Sequence, residues 1–422
     1  MSRSVALHTL GCKLNYSETT TLGRMLENEG FTQRPFEEEA DVYVINTCSV
    51  TENADKECRQ LVRRIRRKAP ASVVVITGCY AQLKPKEIAE IPGVNLVLGA
   101  GEKFNIVQHL NALAPQESGK IHSCDIEDVN TFTPTHSLHE RTRVFLKLQD
   151  GCDYNCSFCT IPLARGKSRS NRINEVLEQV HALEQAGVQE IVLTGINLGD
   201  FGKGLQGGKD RDESFFELMQ ALDTRTNIPR YRISSIEPNL LTEEMIAFVA
   251  QSRAFMPHFH IPLQSGSDEI LGMMRRRYKR SLYADRVQQI RTHIPHASIG
   301  VDVIVGFPGE TDALFQETVD FLRSLDITYL HVFTYSERTN TLAATMENPV
   351  PVSTRQARNS VLRQLSYEKS SAFYERHIGE TRMALFEGAN KNGMMEGYTD
   401  NYIPVKTIYN PDWENKLISW KI

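Results

Sequence analysis

The stretch Gly151-Cys-Asp-Tyr-Asn-Cys-Ser-Phe-Cys159 brings three cysteines together with the spacing C-x3-C-x2-C. It follows the apolar run 144–148, which predicts a strand, so the cysteines are expected on a loop. A loop can wrap three thiolates around one inorganic cluster, whereas a helix or strand would splay the side chains apart. Three protein ligands would leave one iron of a four-iron cluster free to chelate a small molecule.

The alternatives for this loop are buried thiols and a zinc site. With 8 cysteines in 422 residues, the spacing arises by chance in only about 0.3% of such chains. A zinc site would need a fourth Cys or His nearby, and the nearest downstream histidine, His181, lies inside a helical pattern. An iron-sulfur cluster is therefore the favoured prediction.

The sequence downstream of the loop alternates apolar runs with helix-like segments. The predicted strands are 144–148, 190–193, 231–234, 258–261, 298–305 and 329–333. Six strands over this length predict an open or partial (β/α) barrel, because a closed eight-fold barrel normally takes roughly 250 residues.

Polar and glycine-rich segments follow predicted barrel strands two to five. They are Thr194–Asn197, Ser234–Glu237, His260–Ser267 and Gly306–Glu310. Taken singly, each is more often an ordinary turn. Barrel enzymes, however, assemble their active sites at the carboxyl ends of their strands, so four such segments beside the cysteine loop predict one site.

Upstream, the rhythm of strands and helices predicts an amino-terminal parallel α/β domain. Cys12, Cys48 and Cys79 each follow one of its predicted strands. Because loops leaving the carboxyl ends of adjacent parallel strands meet at one edge of the sheet, the three thiols are expected to converge. Cys58 and Cys124 lack this placement and are predicted to be ordinary buried residues.

The remaining segments complete the domain boundaries. Residues 117–140 show no sustained periodicity and predict a linker. After a long polar helix, about 352–376, short strand-like runs with turns at Gly388, Gly393 and Gly397 predict a small β-domain. The expected domains are 1–116, 117–140 as linker, 141–370 and 371–422.

Composition indicates the cellular location of the protein and the redox state of its cysteines. The chain is 41% hydrophobic with a net charge of -4 and contains no apolar run long enough for a spanning helix. The first apolar run, 5–10, is too short for the apolar part of a secretory leader, so none is expected. We therefore expect a cytoplasmic protein without membrane attachment, acting as a monomer, with reduced cysteines. Two basic runs, 59–68 and 275–280, could follow phosphates or form solvated surfaces.

The cysteine loop, with Phe158 before its last cysteine, and the four strand-end segments resemble the radical S-adenosylmethionine (SAM) superfamily. The resemblance implies that a 4Fe-4S cluster on Cys152, Cys156 and Cys159 binds SAM and cleaves it to a deoxyadenosyl radical. It implies catalytic roles for these three cysteines and for Arg165. The SAM-binding residues that it implies are Phe158, Gly195, Asn197, Ser234, Ser235, Glu237, Gln264 and Gly306.

With the amino-terminal cysteines included, essentially the whole chain resembles the radical SAM methylthiotransferases. This resemblance implies a second 4Fe-4S cluster, on Cys12, Cys48 and Cys79, that holds a sulfur which one SAM methylates while a second SAM supplies the radical. The segments 11–15 and 77–82 are most similar to the branch acting on carbon 2 of N6-threonylcarbamoyladenosine at tRNA position 37. The implied partners are the tRNA anticodon loop, an electron donor such as flavodoxin or ferredoxin, and a sulfur donor. Residues 371–422 resemble the TRAM RNA-binding module, an OB-like barrel.

Several alternatives stay open from the sequence. Sister branches of the family methylthiolate isopentenyladenosine in tRNA or an aspartate of a ribosomal protein. A non-catalytic iron-sulfur scaffold or electron carrier would account for both cysteine sets but not for the segments after barrel strands two to five. A zinc-dependent RNA-binding protein would lack the brown colour of iron-sulfur clusters.

Overall fold

A six-stranded parallel sheet forms the amino-terminal part of the computed structural model, which describes residues 3–48, 52–114, 117–137, 142–204, 211–389 and 392–422. Its strands lie in the order β2-β1-β3-β4-β5-β6, and every neighbouring pair is parallel. The elements are β1 (Ser4–Thr9), α1 (Lys13–Asn28), β2 (Thr32–Gln33), β3 (Val42–Thr47), α2 (Glu52–Lys68), β4 (Val73–Gly78), α3 (Cys79–Leu83), α4 (Pro85–Ala89), β5 (Leu96–Leu98), α5 (Ile106–Asn111) and β6 (Lys120–His122). The predicted parallel α/β architecture is confirmed.

Side-chain alternation along β3 shows why helices cover both faces of this sheet. Val42 and Val44 pack with Leu22 and Leu26 of α1, whereas Tyr43 and Ile45 join a core with α2 on the opposite face. A strand buried on both sides needs apolar residues at every position, as parallel strands in α/β proteins do. Cys58 belongs to this second core and is fully buried, as the sequence predicted.

The stretch expected to be a linker contributes the edge strand β6, which pairs with β5. Three residues are too few for a periodic pattern, so this strand was not predicted. Farther along, Thr135 is buried and its hydroxyl lies 2.9 Å from that of Ser17 in α1. The expected boundaries at 116 and 140 lie outside the described residues.

The central part is a partial barrel built from two parallel three-stranded sheets, β7-β10-β11 and β12-β13-β14. The Ile236 N–H donates to the His260 carbonyl at 3.1 Å and joins the two sheets at their adjacent strands. The elements are β7 (Arg143–Lys147), β8 (Gln149–Asp150), α6 (Ile161–Arg165), β9 (Arg169–Ser170), α7 (Ile173–Gln185), β10 (Glu190–Thr194), α8 (Phe215–Arg225), β11 (Arg230–Ile233), α9 (Glu243–Gln251), β12 (His258–His260), α10 (Asp268–Met273), α11 (Arg280–His293), β13 (Ser298–Val305), α12 (Asp312–Ser324), β14 (Tyr329–Thr334) and α13 (Val352–Glu375). All six predicted barrel strands are present, which confirms the partial (β/α) barrel.

The carboxy-terminal part is a four-stranded antiparallel sheet in the order β17-β16-β15-β18. The strands are β15 (Thr381–Ala389), β16 (Met394–Thr399), β17 (Pro404–Ile408) and β18 (Leu417–Lys421). Gly393 has a positive φ and turns the chain, but Gly388 and Gly397 lie inside strands, so their prediction as turns was wrong. At Gly397 a Cβ would stand 2.4 Å from the Leu385 carbonyl, so glycine serves close strand approach there.

This terminal sheet packs directly on the barrel. Arg232 of β11 donates to the carbonyls of Thr399 and Asp400 at 2.7 and 2.9 Å, and Arg143 of β7 forms an ion pair with Glu387 at 2.9 Å. The buried arginines fix the sheet over the barrel strands. The assignment of the sheet as a TRAM module stays a prediction.

Candidate active site

The loop of Cys152, Cys156 and Cys159 lies between β8 and α6, at the carboxyl end of the first barrel strand. All three thiols are half-buried. Burial raises the pKa of Cys152 to about 12, and the neighbouring Cys159 and Cys156 add to this effect. Burial also raises the pKa of Cys159 to about 12. Because metal ligands are thiolates, iron binding must displace these protons.

Each sulfur of this loop has its own N–H donor. The backbone N–H of Tyr154 lies 3.4 Å from Cys152 Sγ, and that of Ile161 lies 3.5 Å from Cys159 Sγ. Arg276 Nη1 donates to Cys156 Sγ at 3.1 Å. Hydrogen bonds to cysteine sulfur stabilise the thiolate and tune an iron-sulfur cluster. This donor set fits a 4Fe-4S cluster held by three protein ligands.

Arg276 is a site residue that sequence reasoning missed. It belongs to the basic run 275–280, for which the sequence predicts either phosphate contacts or a solvated surface. In the structure its guanidinium is buried and also donates to Glu237 Oε2. Burial raises the pKa of Glu237 although Arg276 opposes this shift. Arg276 therefore links the cysteine loop to Glu237, a residue predicted to bind SAM.

A cavity of about 260 Å³ opens beside Cys159, lined by Phe158, Gln264, Ile304 and Tyr335 among others. The Phe158 ring meets Phe307 edge-on at 6.5 Å between centroids. Phe158 and Gln264 were both predicted to contact SAM, and the structure brings them together at this cavity. Its apolar walls suit an aromatic base.

Asn197 offers a second observation in favour of a bound ligand. Its Nδ2 donates to Asp200 at 2.9 Å, and its N–H donates to Gln149 Oε1 at 2.9 Å. Its Oδ1 is buried and has no hydrogen-bond partner among the described residues. Buried polar atoms are normally paired, so a ligand with an N–H donor, such as the SAM amino group, fits here.

Four other residues predicted to contact SAM follow barrel strands: two glycines and two serines. At Gly195 a Cβ would stand 3.2 Å from the Gln149 side chain, so the glycine permits close packing there. At Gly306, where φ is positive, the space beside the missing Cβ is filled by Arg355 of α13. Ser234 and Ser235 follow β11 at the barrel mouth. Contacts of these four residues with SAM stay predictions.

Cys12, Cys48 and Cys79 lie at the ends of three adjacent strands, β1, β3 and β4. A Cβ at Gly11 would stand 2.9 Å from Cys48 Sγ, which places the Cys48 thiol against the chain beside Cys12. Burial raises the pKa of Cys12, Arg165 opposes this shift, and the nearby Cys79 reinforces it. The three thiols therefore share one edge of the sheet.

Asn15 holds these loops together. Its Nδ2 donates to the carbonyls of Leu10 and Thr47 at 2.9 and 3.0 Å, and so joins the residues that precede Cys12 and Cys48. At Gly78, which precedes Cys79, φ is positive and a Cβ would stand 2.3 Å from the Thr47 carbonyl. Only glycine allows the third loop to approach this closely.

One set of metal-ligating side chains is close enough together for a single metal ion. Among the described residues, His260, Asp302 and His331 are the only three whose ligand atoms all lie within 4.8 Å of one another.

His260, Asp302 and His331 lie close together across β12, β13 and β14 as charge-pair contacts, and the last two were missed from sequence. His260 Nε2 lies 2.9 Å from Asp302 Oδ1, and His331 Nδ1 lies 3.3 Å from it. Burial raises the pKa of Asp302, but the two histidines outweigh it and hold this pKa well below its usual range. The alternating pattern of a strand could have indicated Asp302, but not its partners on other strands.

Arg165, at the end of α6, connects the cysteine loop to the amino-terminal domain. Its guanidinium is buried and lies 3.0 Å from Glu18, 2.9 Å from Asp150 and 2.5 Å from Asn15 Oδ1. Glu18 also pairs with Lys103 at 2.7 Å and Lys147 at 3.2 Å. Burial raises the pKa of Glu18, but Arg165, Lys103 and Lys147 outweigh it and hold this pKa well below its usual range.

Glu18→Gln is expected to destabilise the protein by about 3–5 kcal/mol, because it leaves three buried cations with one carboxylate fewer. Urea unfolding of the metal-free protein measures this, with the exposed Glu347→Gln as the control. The pKa of Glu18 is lowered by folding, so its stabilisation is present above its unfolded pKa of about 4.3 and fades as the pH falls below that value. Equal stability of the two variants at neutral pH would contradict the assigned role.

The two basic runs are only partly available to a partner. Arg66 donates to the carbonyls of Gly93, Pro70 and Ser72 and is committed to the fold. Arg63, Arg64 and Arg67 are exposed on α2. In the second run, Arg276 is inside the site and the Arg277 guanidinium stacks 3.9 Å above the Tyr154 ring. The exposed face of α2 is the better candidate for phosphate contacts.

In comparisons with known proteins, the amino-terminal sheet and the barrel match two different families. Residues 4–99 match the family described as uncharacterized protein family UPF0004, and residues 146–322 match the radical SAM superfamily. The fold resembles the radical S-adenosylmethionine methyltransferase TsrM from Kitasatospora setae, with a TM-score of 0.58 and 16% identity over 86% of this chain and 83% of that one. The barrel and its cysteine loop define a radical SAM enzyme, with SAM and a 4Fe-4S cluster as cofactors.

Curated relatives narrow the class. The chain is 39% identical to the threonylcarbamoyladenosine tRNA methylthiotransferase MtaB of Bacillus subtilis, over 99% of this chain and 93% of that protein. The Aquifex aeolicus protein of the same name is 37% identical over 95% of this chain and 96% of its own length. The tRNA-2-methylthio-N(6)-dimethylallyladenosine synthase of Clostridium botulinum is 30% identical over 99% of this chain and 93% of that protein. The chain belongs to the radical SAM methylthiotransferase family.

None of the helices in the described part of the chain is both long and apolar enough to cross a membrane.

Proposed function

We propose that this enzyme methylthiolates carbon 2 of N6-threonylcarbamoyladenosine at tRNA position 37, using two SAM molecules and two 4Fe-4S clusters. The names of the Bacillus subtilis and Aquifex aeolicus relatives support this substrate. Cys152, Cys156 and Cys159 hold the cluster that binds SAM, and Cys12, Cys48 and Cys79 hold the second.

The observation that carries the proposal is the proximity of the two cysteine trios. Helix α3, which begins with Cys79, packs against α6, which follows Cys159. Arg165 at the end of α6 lies close enough to Cys12 and Cys79 for these cysteines to influence its pKa. A reaction that joins a sulfur to a carbon radical needs both centres near one substrate atom, and the contact between α3 and α6 supports such an arrangement.

When bound, the two clusters supply the electron that cleaves SAM and the sulfur that is transferred. The chain's own residues hold the reactants. The cavity beside Phe158 and Gln264 takes SAM, and Arg276 fixes Glu237 next to the cysteine loop. Arg165 ties the two halves of the site together through Glu18 and Asn15. We assign Arg165 as a positioning residue with electrostatic influence on the second trio.

The proposed partners follow from the reaction. The modified base lies in a single-stranded anticodon loop, where it can be splayed into a pocket between the domains. The exposed arginines of α2 and the terminal sheet, residues 371–422, supply RNA contacts. An electron donor such as flavodoxin or ferredoxin and a sulfur donor complete a cytoplasmic reaction by a monomer. We propose domains at 1–116, 141–370 and 371–422, joined by the segment 117–140.

Mass spectrometry of tRNA nucleosides from a strain lacking the protein tests the substrate. We expect the methylthio-threonylcarbamoyl nucleoside to disappear, its precursor to accumulate, and the methylthio-isopentenyl nucleoside to stay unchanged. Restoring the intact gene, but not a Cys156→Ala copy, should restore the product. Loss of the methylthio-isopentenyl nucleoside instead would move the enzyme to the sister branch, and unchanged nucleosides would leave the ribosomal aspartate as the target.

A further inference from the structure

A second cavity, of about 340 Å³, lies between the start of α1 and the barrel. Cys12 and Lys13 line it from the amino-terminal domain, Ser234 and His258 line it from the barrel, and Tyr402 lines it from the terminal sheet. Cys12 and Lys13 are accessible to solvent there although protein surrounds them, so both face the cavity. Three domains thus meet around a space bordered by a cysteine of the second trio.

Lys13 is the uncompensated charge of this cavity. Arg232 also lines it, but its donors go to Glu190 at 2.8 Å and to two backbone carbonyls. Arg143, likewise on the wall, pairs with Glu387. Among the residues that the structure describes, no hydrogen bond or ion pair engages Lys13. A substrate that fills the cavity would displace water from this ammonium group, which is unfavourable unless the substrate supplies a counter-charge.

The wall opposite is aromatic and neutral. The His258 ring stacks on Tyr402 with 4.2 Å between centroids, and His258 Nε2 lies 2.9 Å from the Tyr329 hydroxyl. Burial, followed by the charge of Arg232, holds the pKa of His258 well below its usual range, so this histidine does not compete with Lys13 as a cation. Tyr398 stacks on Tyr402 as well, with 4.7 Å between centroids, so these rings form a rigid wall that meets a substrate with its edges.

We propose that Lys13 binds the free carboxylate of an amino acid attached to the substrate base, and so selects a base that carries an anionic appendage. The inference rests on the proposed function, since a threonine joined through its amine to a carbamoyl group keeps its carboxylate. An ammonium–carboxylate hydrogen bond is charge-assisted and stronger than a neutral one. An apolar isopentenyl group in the same place would cover the Lys13 ammonium without giving it a partner, which disfavours that substrate.

Binding of the iron-loaded enzyme to anticodon stem-loop RNAs tests Lys13. Three RNAs differ only at position 37, which carries threonylcarbamoyladenosine, its carboxamide analogue, or unmodified adenosine. Wild-type enzyme is expected to bind the carboxylate form at least about tenfold more tightly than the carboxamide form. Lys13→Gln should abolish this preference, and Lys13→Arg should retain part of it because the charge remains. Variants are compared at equal iron content, since Lys13 neighbours Cys12.

The control is Lys86→Gln, which removes the same charge from an exposed position on α4. It should keep the full preference for the carboxylate. The proposal is overturned if Lys13→Gln retains that preference, or if both variants lose affinity for all three RNAs equally, which would indicate general attraction to phosphate. Methylthiolation by the wild type is measured separately. If the threonylcarbamoyl RNA is not methylthiolated, the proposed function is wrong. If it is methylthiolated but Lys13→Gln keeps the preference for the carboxylate, only the inference about Lys13 is wrong.

Discussion

Replacing Cys156 with alanine is expected to lower the rate of 5′-deoxyadenosine formation by more than about 100-fold, because loss of a direct ligand exceeds the 10–100-fold cost of losing an outer-shell partner. Cys156 accepts a hydrogen bond from Arg276 and stands between the other two cysteines of the loop. Without Cys156, the loop has two thiolates for the cluster, and the Arg276 guanidinium loses its sulfur acceptor. Anaerobic incubation of the reconstituted protein with SAM and dithionite, followed by chromatography, measures the product.

Cys124→Ala is the matched control for this variant. Cys124 is a half-buried cysteine outside both trios, whose carbonyl accepts a hydrogen bond from Gln82. Its replacement should leave deoxyadenosine formation near the wild-type rate. If circular dichroism shows both variants folded and Cys156→Ala still cleaves SAM at the control rate, the assigned cluster site is wrong.

Cys48→Ala is expected to separate the two halves of the reaction. Methylthiolated product should fall below detection, because the second trio loses one of its three thiols. SAM cleavage should fall by less than about tenfold, the lower bound for losing an outer-shell partner, because Cys48 follows β3 of the amino-terminal sheet and lies outside the cysteine loop proposed to hold the SAM-binding cluster. Assays with threonylcarbamoyl-containing tRNA measure both products in one sample.

The Cys48→Ala result tests whether the two trios have separate roles, one in SAM cleavage and the other in sulfur insertion. Equal loss of deoxyadenosine and of methylthiolated product in Cys48→Ala and Cys156→Ala would refute it. Retained methylthiolation in Cys48→Ala would show that the amino-terminal cysteines hold nothing that the reaction needs.

Local patterns explain how much of this fold was predictable. Apolar runs mark barrel strands such as β7 and β13, whereas β11 alternates polar and apolar residues, and all six barrel strands were predicted. The convergence of Cys12, Cys48 and Cys79 followed from a rule of topology, since parallel strands deliver their carboxyl ends to one edge. The three-residue strand β6 was missed because pairing with β5, rather than its own pattern, makes it a strand.

Long-range partners account for what the sequence did not reveal. Arg276 is 120 residues from Cys156, and nothing local distinguishes it from the exposed arginines beside it. Asp302 meets His260 and His331 only when three strands are side by side. Lys13 lies in the segment 11–15, where the sequence indicates no role for it. Its cavity exists only where the amino-terminal domain, the barrel and the terminal sheet meet. Arg165 was predicted as catalytic, but its ion network with Glu18 could not be seen.

The iron content of anaerobically reconstituted protein tests the central claim most directly, that two cysteine trios each hold a four-iron cluster. We expect about eight iron atoms per chain in the wild type and about four in both Cys48→Ala and Cys156→Ala. About four in the wild type, with no loss in Cys48→Ala, would contradict the account.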